Sequence, residues 1–269
     1  MTFTWLIDAD QSWERSADFQ TLIRSRGYEC RPVKFFPQTK SPGDIAGAED
    51  LAIDARAVYF GGPALMDYIQ TNRRWKPGGW CTFANFRCET YYCYFGRYLL
   101  NENYVLLPAA EAVRRSSRLF DELAVDGEVF IRPAVGRKLF VGNCVDADVF
   151  GSILSNRLDP RTMVVISSPK VVGREWRLFI AHDEVIAASQ YAENGQVVQC
   201  PGCPTDVQNF ATTILRDVAW RPDPLFSMDF CETDGRISLV EINGFSCSNL
   251  YAADLNSIVD AVADTARKS

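Results

Sequence analysis

Residues 225–244, LFSMDFCETDGRISLVEING, read as a strand–turn–strand segment that carries polar side chains where a buried core needs apolar ones. Side chains alternate between the two faces of a strand, so Glu241 and Asn243 point the same way and Ile242 points to the other face. Asp229 lies on the partner strand across the turn. This pattern constrains the fold, because a hairpin with acids on one face needs either water or a cation against that face.

The turn ETDGR decides whether the two carboxylates share a face. In an antiparallel pair, Asp229 joins Glu241 only if the loop has an odd number of residues, such as 234–236 with Gly235 supplying a positive φ. Converging carboxylates are costly to bury unless a cation neutralises them. Mg²⁺ takes such oxygen ligands beside a nucleotide's phosphates. A solvated edge hairpin is the alternative, and these residues alone leave both open.

Composition excludes several classes of protein. The 269 residues can bury a sizeable core, and the net charge of −6 argues against a general binder of nucleic acid or anionic membranes. No apolar run approaches the roughly 18–20 residues that cross a bilayer. The N-terminus MTFTWLIDADQSWER has no signal-peptide pattern, and the nine cysteines suit reduced thiols. We therefore expect a cytoplasmic protein.

Hydrophobic periodicity divides the chain into three units. A strand at TFTWLID, a helix over 11–27 and strands at YECRPVKFF and ARAVYFGG predict a small N-terminal α/β subdomain. The later strands and helices, including one helix over PAAEAVRRSSRLFDELAV, predict two α+β units. The predicted domains are 1–99, 100–165 and 166–269. The aromatic segment 80–98 has poor periodicity and receives no assignment.

Five motifs follow one another in a familiar order: FIRP, GRKLFVG, VVISSPKVVGREWRLFI, MDF and VEING. Their order and spacing resemble the ATP-grasp superfamily over roughly residues 100–250, and most closely the branch of glutathione synthetase and the ribosomal-protein glutamate ligases. The resemblance implies two α+β subdomains that grip ATP, preceded by an α/β subdomain. It also implies that Asp229, Glu241 and Asn243 hold Mg²⁺ on the triphosphate.

The resemblance assigns the nucleotide contacts residue by residue. Arg132 stands where the family usually has a phosphate-binding Lys, and Lys138 lies in the glycine-bounded flap over the phosphates. Glu175 matches the ribose ligand. The hinge beside the adenine corresponds to Ser168, Lys170 and Val171, and Ser168 replaces the acid common in relatives.

The resemblance also indicates catalytic and substrate residues. Arg177 matches an arginine near the reacting carboxyl and the γ-phosphate, and Lys138 assists at the phosphates. Lys138 could instead be a solvated loop lysine, and Glu175 with Arg177 an exposed cross-strand ladder. GFSCSNLY is expected to open the final helix, where donors suit an anionic substrate group or simply cap the helix: Ser246, Ser248 and Asn249.

The activity implied is that of an ATP-dependent carboxylate–amine ligase, which forms an amide bond through an acylphosphate. Its substrates would be small-molecule or peptide acids and amines, with ATP and Mg²⁺ as cofactors. A kinase of a small molecule and a noncatalytic nucleotide-binding protein are the alternatives, and the oligomeric state stays open. CPGC at 200–203 lacks two further ligands for zinc, and the single histidine, His182, is expected in a hairpin turn, where it is a poor base.

Overall fold

The computed structural model describes residues 3–10, 13–36, 45–136, 139–156 and 158–269. Its first sheet contains β1 (Thr4–Asp8), β2 (Glu29–Phe35), β3 (Ile45–Ala46), β4 (Arg56–Phe60) and β5 (Lys76–Gly78). The order is β3-β2-β1-β4-β5, with only β2 and β3 antiparallel among these neighbours. Helices α1 (Ser16–Ser25) and α2 (Pro63–Thr71) accompany this sheet. The predicted strand–helix–strand opening is confirmed, whereas the short α2 and β5 were not predicted.

Helix α3 (Cys88–Phe95) occupies the aromatic segment that the sequence left unassigned. Its Tyr91, Tyr92 and Phe95 are buried. Apolar residues on more than one side of this short helix explain why its sequence lacks the amphipathic spacing of a surface helix.

A second, antiparallel sheet follows, made of β6 (Tyr104–Pro108), β7 (Val129–Pro133), β8 (Asn143–Val145) and β9 (Met163–Ser167) in the order β6-β9-β7-β8. Helices α4 (Ala109–Arg114), α5 (Ser116–Leu123) and α6 (Ala147–Asn156) belong to this part of the chain. The expectation of a single helix after Pro108 was wrong. Arg115 leaves the helical conformation, with φ −102° and ψ 12°, and separates α4 from α5.

The third sheet is antiparallel and contains β10 (Arg174–Ala181), β11 (Glu184–Glu193), β12 (Gln196–Pro201), β13 (Leu225–Thr233) and β14 (Arg236–Gly244). Its order is β12-β11-β10-β13-β14, and helices α7 (Thr205–Asp217) and α8 (Leu255–Lys268) complete the fold. The predicted hairpin over β10 and β11 is present, and β12 was not predicted. The proposed domain boundaries fall between the sheets, except that β9 runs to Ser167; the division into domains stays a prediction.

One face of the third sheet packs into the largest apolar core. Trp176, Met228 and Ile242 lie in that core together with Tyr59 and Leu65 of the first sheet's region. The opposite face of β10, β13 and β14 carries the polar residues described below. Within the described residues, no helix is both long enough and apolar enough to cross a membrane.

Candidate nucleotide and metal site

The hairpin of β13 and β14 brings the two predicted carboxylates together by a route that the sequence analysis did not foresee. Thr233 pairs with Arg236, so the loop has two residues, Asp234 (φ 49°) and Gly235 (φ 74°), and the expected three-residue loop was wrong. Two-residue loops with positive φ at both positions match the natural twist of a hairpin.

A β-bulge restores the required parity. The ladder pairs Phe230 with Leu239 and Asp229 with Glu241, which leaves Val240 as an extra residue on β14. The bulge shifts the alternation by one residue, so Leu239 and Ile242 both reach the core. Glu241 therefore faces the same side as Asp229.

Asn243 completes the cluster. Its Nδ2 donates to Glu241 Oε1 at 2.9 Å and, over a longer 3.4 Å, to Asp229 Oδ2. The amide lies between the carboxylates, and half a turn about its last side-chain bond would present the oxygen instead of the nitrogen. Two carboxylates and an amide oxygen form a donor set that fits Mg²⁺. No group of three or more His, Cys, Asp or Glu residues suited to a metal occurs in the described part of the chain, so this candidate site depends on the amide.

Arg177 neutralises Asp229. Its Nε and Nη2 donate to the two Asp229 oxygens at 2.8 and 2.7 Å, and Nη1 donates to the Asn249 carbonyl at 3.2 Å. Arg177 is 6% exposed and Asp229 2% exposed. Burial lowers the pKa of the Arg177 guanidinium, but the Asp229 charge and hydrogen bonds outweigh it and raise that pKa above its ordinary value. The arginine is therefore permanently charged beside the candidate metal ligands.

Arg132 links the second sheet to the third. It lies on β7, and its Nη2 donates to Glu241 Oε2 of β14 at 2.5 Å. Burial lowers the pKa of Arg132, yet the Glu241 charge, with help from Tyr91, Cys88 and Tyr92 of α3, raises it well above the ordinary value. Helix α3 thus borders the predicted phosphate contact, although its sequence gave no sign of this.

Glu175 and Arg177 lie on the same face of β10, with Trp176 pointing into the core between them. Glu175 Oε2 accepts a hydrogen bond from the Tyr191 hydroxyl at 2.8 Å. Burial raises the pKa of Glu175, and the charges of Asp229 and Glu241 act in the same direction, against the Tyr191 bond. Tyr191 was not singled out from the sequence, because β11 reads as an ordinary strand there.

The predicted hinge residues follow β9 in a segment without regular structure. Lys170 Nζ donates to the Ser168 carbonyl at 3.3 Å, and Val171 is 81% exposed. Such a segment leaves side chains and backbone groups accessible to a base. Lys138 lies outside the described residues, so its assignment stays a prediction.

The expectation that GFSCSNLY opens the final helix was wrong. Helix α8 begins at Leu255, and its N-cap is Asp254, which accepts from the backbone N–H groups of Asn256 and Ser257. Residues 245–247 form a separate 3₁₀ turn. Asp254 supplies the capping carboxylate that starts the helix there, so the backbone donors of α8 do not lie at 246–249.

The substrate residues predicted in that stretch have different surroundings. Ser246 is fully buried, and its Oγ accepts from the Trp80 backbone N–H at 2.9 Å, which gives it a structural contact. Ser248 Oγ donates to the Gly244 carbonyl at 2.9 Å and is buried, whereas Asn249 is exposed. The structure therefore brings Ser248 and Asn249 near Arg177 but not Ser246.

A family model for an ATP-grasp domain, the third family of its clade, matches residues 89–262. The chain belongs to the ATP-grasp superfamily. Because the match covers most of the chain, it confirms the resemblance found in the motifs. Among curated protein sequences, none matches this chain significantly.

Solved structures show the same ATP-grasp fold over the whole chain. D-alanyl-alanine synthetase A from Vibrio cholerae is 15% identical, with a TM-score of 0.64 and 100% of both chains covered. The RimK domain ATP-grasp protein from Sphaerobacter thermophilus is 15% identical, with a TM-score of 0.58 and coverage of 98% of this chain and 96% of that one. The ATP-grasp ligase PsnB, complexed with precursor peptide PsnA2 and AMPPNP, is 14% identical, with a TM-score of 0.56 and coverage of 98% and 97%.

A cavity of about 770 Å³ adjoins the candidate metal ligands of this ATP-grasp chain. Arg177 and Asn243 line it on one side, and Phe60 at the end of β4 lines it on the other, with Phe86 and Tyr251 also in its wall. Pockets of this size hold substrates and cofactors of small-molecule dimensions. The cavity is open to a ligand that approaches Asp229 from the first sheet.

The features that the sequence analysis discounted lie apart from the ATP-grasp site residues. His182 is in the turn between β10 and β11, with its Nε2 3.1 Å from Lys268 Nζ. All nine cysteines, including Cys200 and Cys203 of CPGC, have free thiols.

Proposed function

We propose that the chain is an ATP-dependent carboxylate–amine ligase. The observation that carries the proposal is the convergence of Asp229, Glu241 and Asn243 on one face of the hairpin, with Arg132 and Arg177 beside them and a cavity next to Arg177. Cation ligands, phosphate ligands and room for a second substrate are the parts that phosphoryl transfer to an acid requires.

The residues have separate roles in this proposal. Asp229, Glu241 and Asn243 would hold Mg²⁺, which when bound neutralises charge on the phosphates. Arg132 would orient the phosphates from the side of the second sheet. Glu175 would contact the ribose, and Ser168, Lys170 and Val171 the base, with Lys138 as a further phosphate ligand.

The reaction proceeds in two transfers. An oxygen of the acid attacks the γ-phosphorus, the bond to the bridging oxygen breaks, and ADP leaves with the electron pair. The nitrogen of a free amine then attacks the acyl carbon, phosphate departs, and the amine loses a proton as the amide forms. Arg177, between Asp229 and the cavity, would orient the acid and stabilise charge that develops on the transferred group.

The acid and amine would be small molecules or peptides that enter through the cavity. A peptide fits the proposal because one structure with the same fold, PsnB, is complexed with a precursor peptide. Ser248 and Asn249, which line the cavity, would contact the acid. The nine free thiols support a reducing compartment, and we propose the cytoplasm.

The first test is thermal unfolding with a non-hydrolysable ATP analogue, with and without Mg²⁺. At a ligand concentration of about 100 times Kd, binding should add about 2.7 kcal/mol, or roughly 5–10 °C in midpoint. Asp229→Asn and Glu241→Gln should lose the Mg²⁺-dependent part. Glu232→Gln is the matched control, since Glu232 lies on the same hairpin but pairs with Arg174.

Turnover distinguishes the possible activities. Phosphate release that requires both an acid and an amine supports the ligase. ATP consumption with an acid or alcohol alone, with a stable phosphorylated product, would make the chain a kinase. Nucleotide binding without turnover across the screened acids and amines would favour a binding protein, and no midpoint rise in the wild type would contradict a nucleotide site altogether.

A further inference from the structure

Tyr251 has a backbone conformation that a bulky side chain rarely adopts. Its φ is +47°, in the left-handed region, where an L-residue other than Gly pays about 1–2 kcal/mol. Strained residues persist only where the surrounding structure imposes them, and they concentrate at ligand sites. Tyr251 also lines the cavity described above.

Four hydrogen bonds impose this conformation on the loop 249–253. Arg15 Nη1 donates to the carbonyls of Tyr251 and Ala253 at 3.2 and 2.7 Å. The Tyr251 amide donates to Asn249 Oδ1 at 3.0 Å, and the Ala252 amide donates to Ser189 Oγ at 3.0 Å. The loop is thus held both from the residue before α1 and from β11.

The consequence of this clamp is a fixed position for the Tyr251 ring. Its centroid lies 5.2 Å from Arg177 Cζ, and the Tyr191 ring lies 5.9 Å from the same atom. The two rings stack on each other at 5.1 Å with 16° between their planes. An aromatic face attracts a cation, so the pair favours the guanidinium orientation in which Arg177 also binds Asp229.

Arg177 lies between Asp229 on one side and the cavity on the other. A nucleotide whose phosphates are held at Asp229 and Glu241 would present its terminal phosphate towards that cavity. We propose that Tyr251 is a positioning residue, which holds the Arg177 guanidinium where it reaches the terminal phosphate of a bound nucleoside triphosphate. This inference rests on the proposed function, because it requires the nucleotide site.

Three substitutions separate the ring from its hydroxyl and from the loop. Tyr251→Phe keeps the ring. Tyr251→Leu removes it but pays the same backbone strain, so the comparison isolates the aromatic contact. Arg15→Gln loosens the loop without changing the ring, and it serves as the second variant if the Leu protein does not fold.

The measurement is calorimetric affinity of the full-length chain for a non-hydrolysable ATP analogue and for ADP, both with Mg²⁺. We expect Tyr251→Leu to weaken the triphosphate roughly three- to tenfold, in the range of a cation–π contact, and to leave ADP unchanged. Arg15→Gln should narrow the same preference, and Tyr251→Phe should match the wild type.

A merely structural role predicts a different result. It would weaken both nucleotides equally, or lower the thermal midpoint alone, and either outcome overturns the inference. Wild-type affinity for both nucleotides in the Leu variant overturns it as well, while the proposed function stands. A wild-type chain that binds neither nucleotide removes the proposed function and this inference together.

Discussion

Asp223 shows how one buried carboxyl can set the pH dependence of stability. Its oxygens accept from the Thr82 amide and hydroxyl at 2.8 and 2.7 Å. Burial raises the pKa of Asp223 to about 6, although both Thr82 bonds act to lower it. Because an unfolded Asp titrates near 3.9, the folded chain binds more protons between about pH 4 and 6, and stability falls as the pH rises through that window.

Asp223→Asn should remove this pH dependence. Relative to the wild type, the unfolding free energy of the variant should increase by about 1–2 kcal/mol between pH 4 and 7, measured by urea unfolding. Asp217→Asn is a control with the opposite slope, because hydrogen bonds from Tyr98 and Arg216 lower the pKa of Asp217. Parallel pH profiles for the wild type and Asp223→Asn would show that Asp223 ionises normally in the folded chain.

At the scale of elements, the hairpin of β13 and β14 shows what sequence could and could not predict. The alternation placed Glu241 and Asn243 on one face, and its polar residues identified Asp229 as their partner. The loop length and the bulge at Val240 compensate for each other, so local pattern alone could not separate them. Tyr191 and Tyr251 are missed for a related reason, since a contact between β11 and a loop after β14 depends on tertiary packing.

The hairpin turn is also where an element-scale prediction applies. Gly235 has φ 74°, and a Cβ there would meet no atom within 4 Å. Gly235→Ala should therefore cost about 1–2 kcal/mol through backbone strain alone, and Gly235→Asn less, since Asn tolerates this region. Urea unfolding measures both. Equal stability of the Ala variant and the wild type would mean that the turn relaxes to another type.

At the scale of the whole molecule, the motif order predicted three successive units, and the structure has three sheets in that order. How the sheets contact one another was not predictable, because pairs such as Arg132 and Glu241 are 109 residues apart. Their contact depends on the arrangement of whole sheets, for which no local pattern is a guide. This pair joins the second sheet to the third through side chains that are 17% and 19% exposed.

A double-mutant cycle tests whether this pair holds the two sheets together. Arg132→Met and Glu241→Gln each leave a half-buried charge without this partner, so the double variant should be more stable than the sum of the single losses by about 1 kcal/mol or more. The exposed pair Arg118 and Glu122 on α5 is the control, with an expected coupling below about 0.5 kcal/mol. Urea unfolding free energies supply both values. A coupling no larger than that of the surface pair would mean that the sheets are held by apolar packing alone. Saturating Mg²⁺ and ATP analogue should reduce the coupling in the first pair only, because phosphate and metal would then replace each residue's partner.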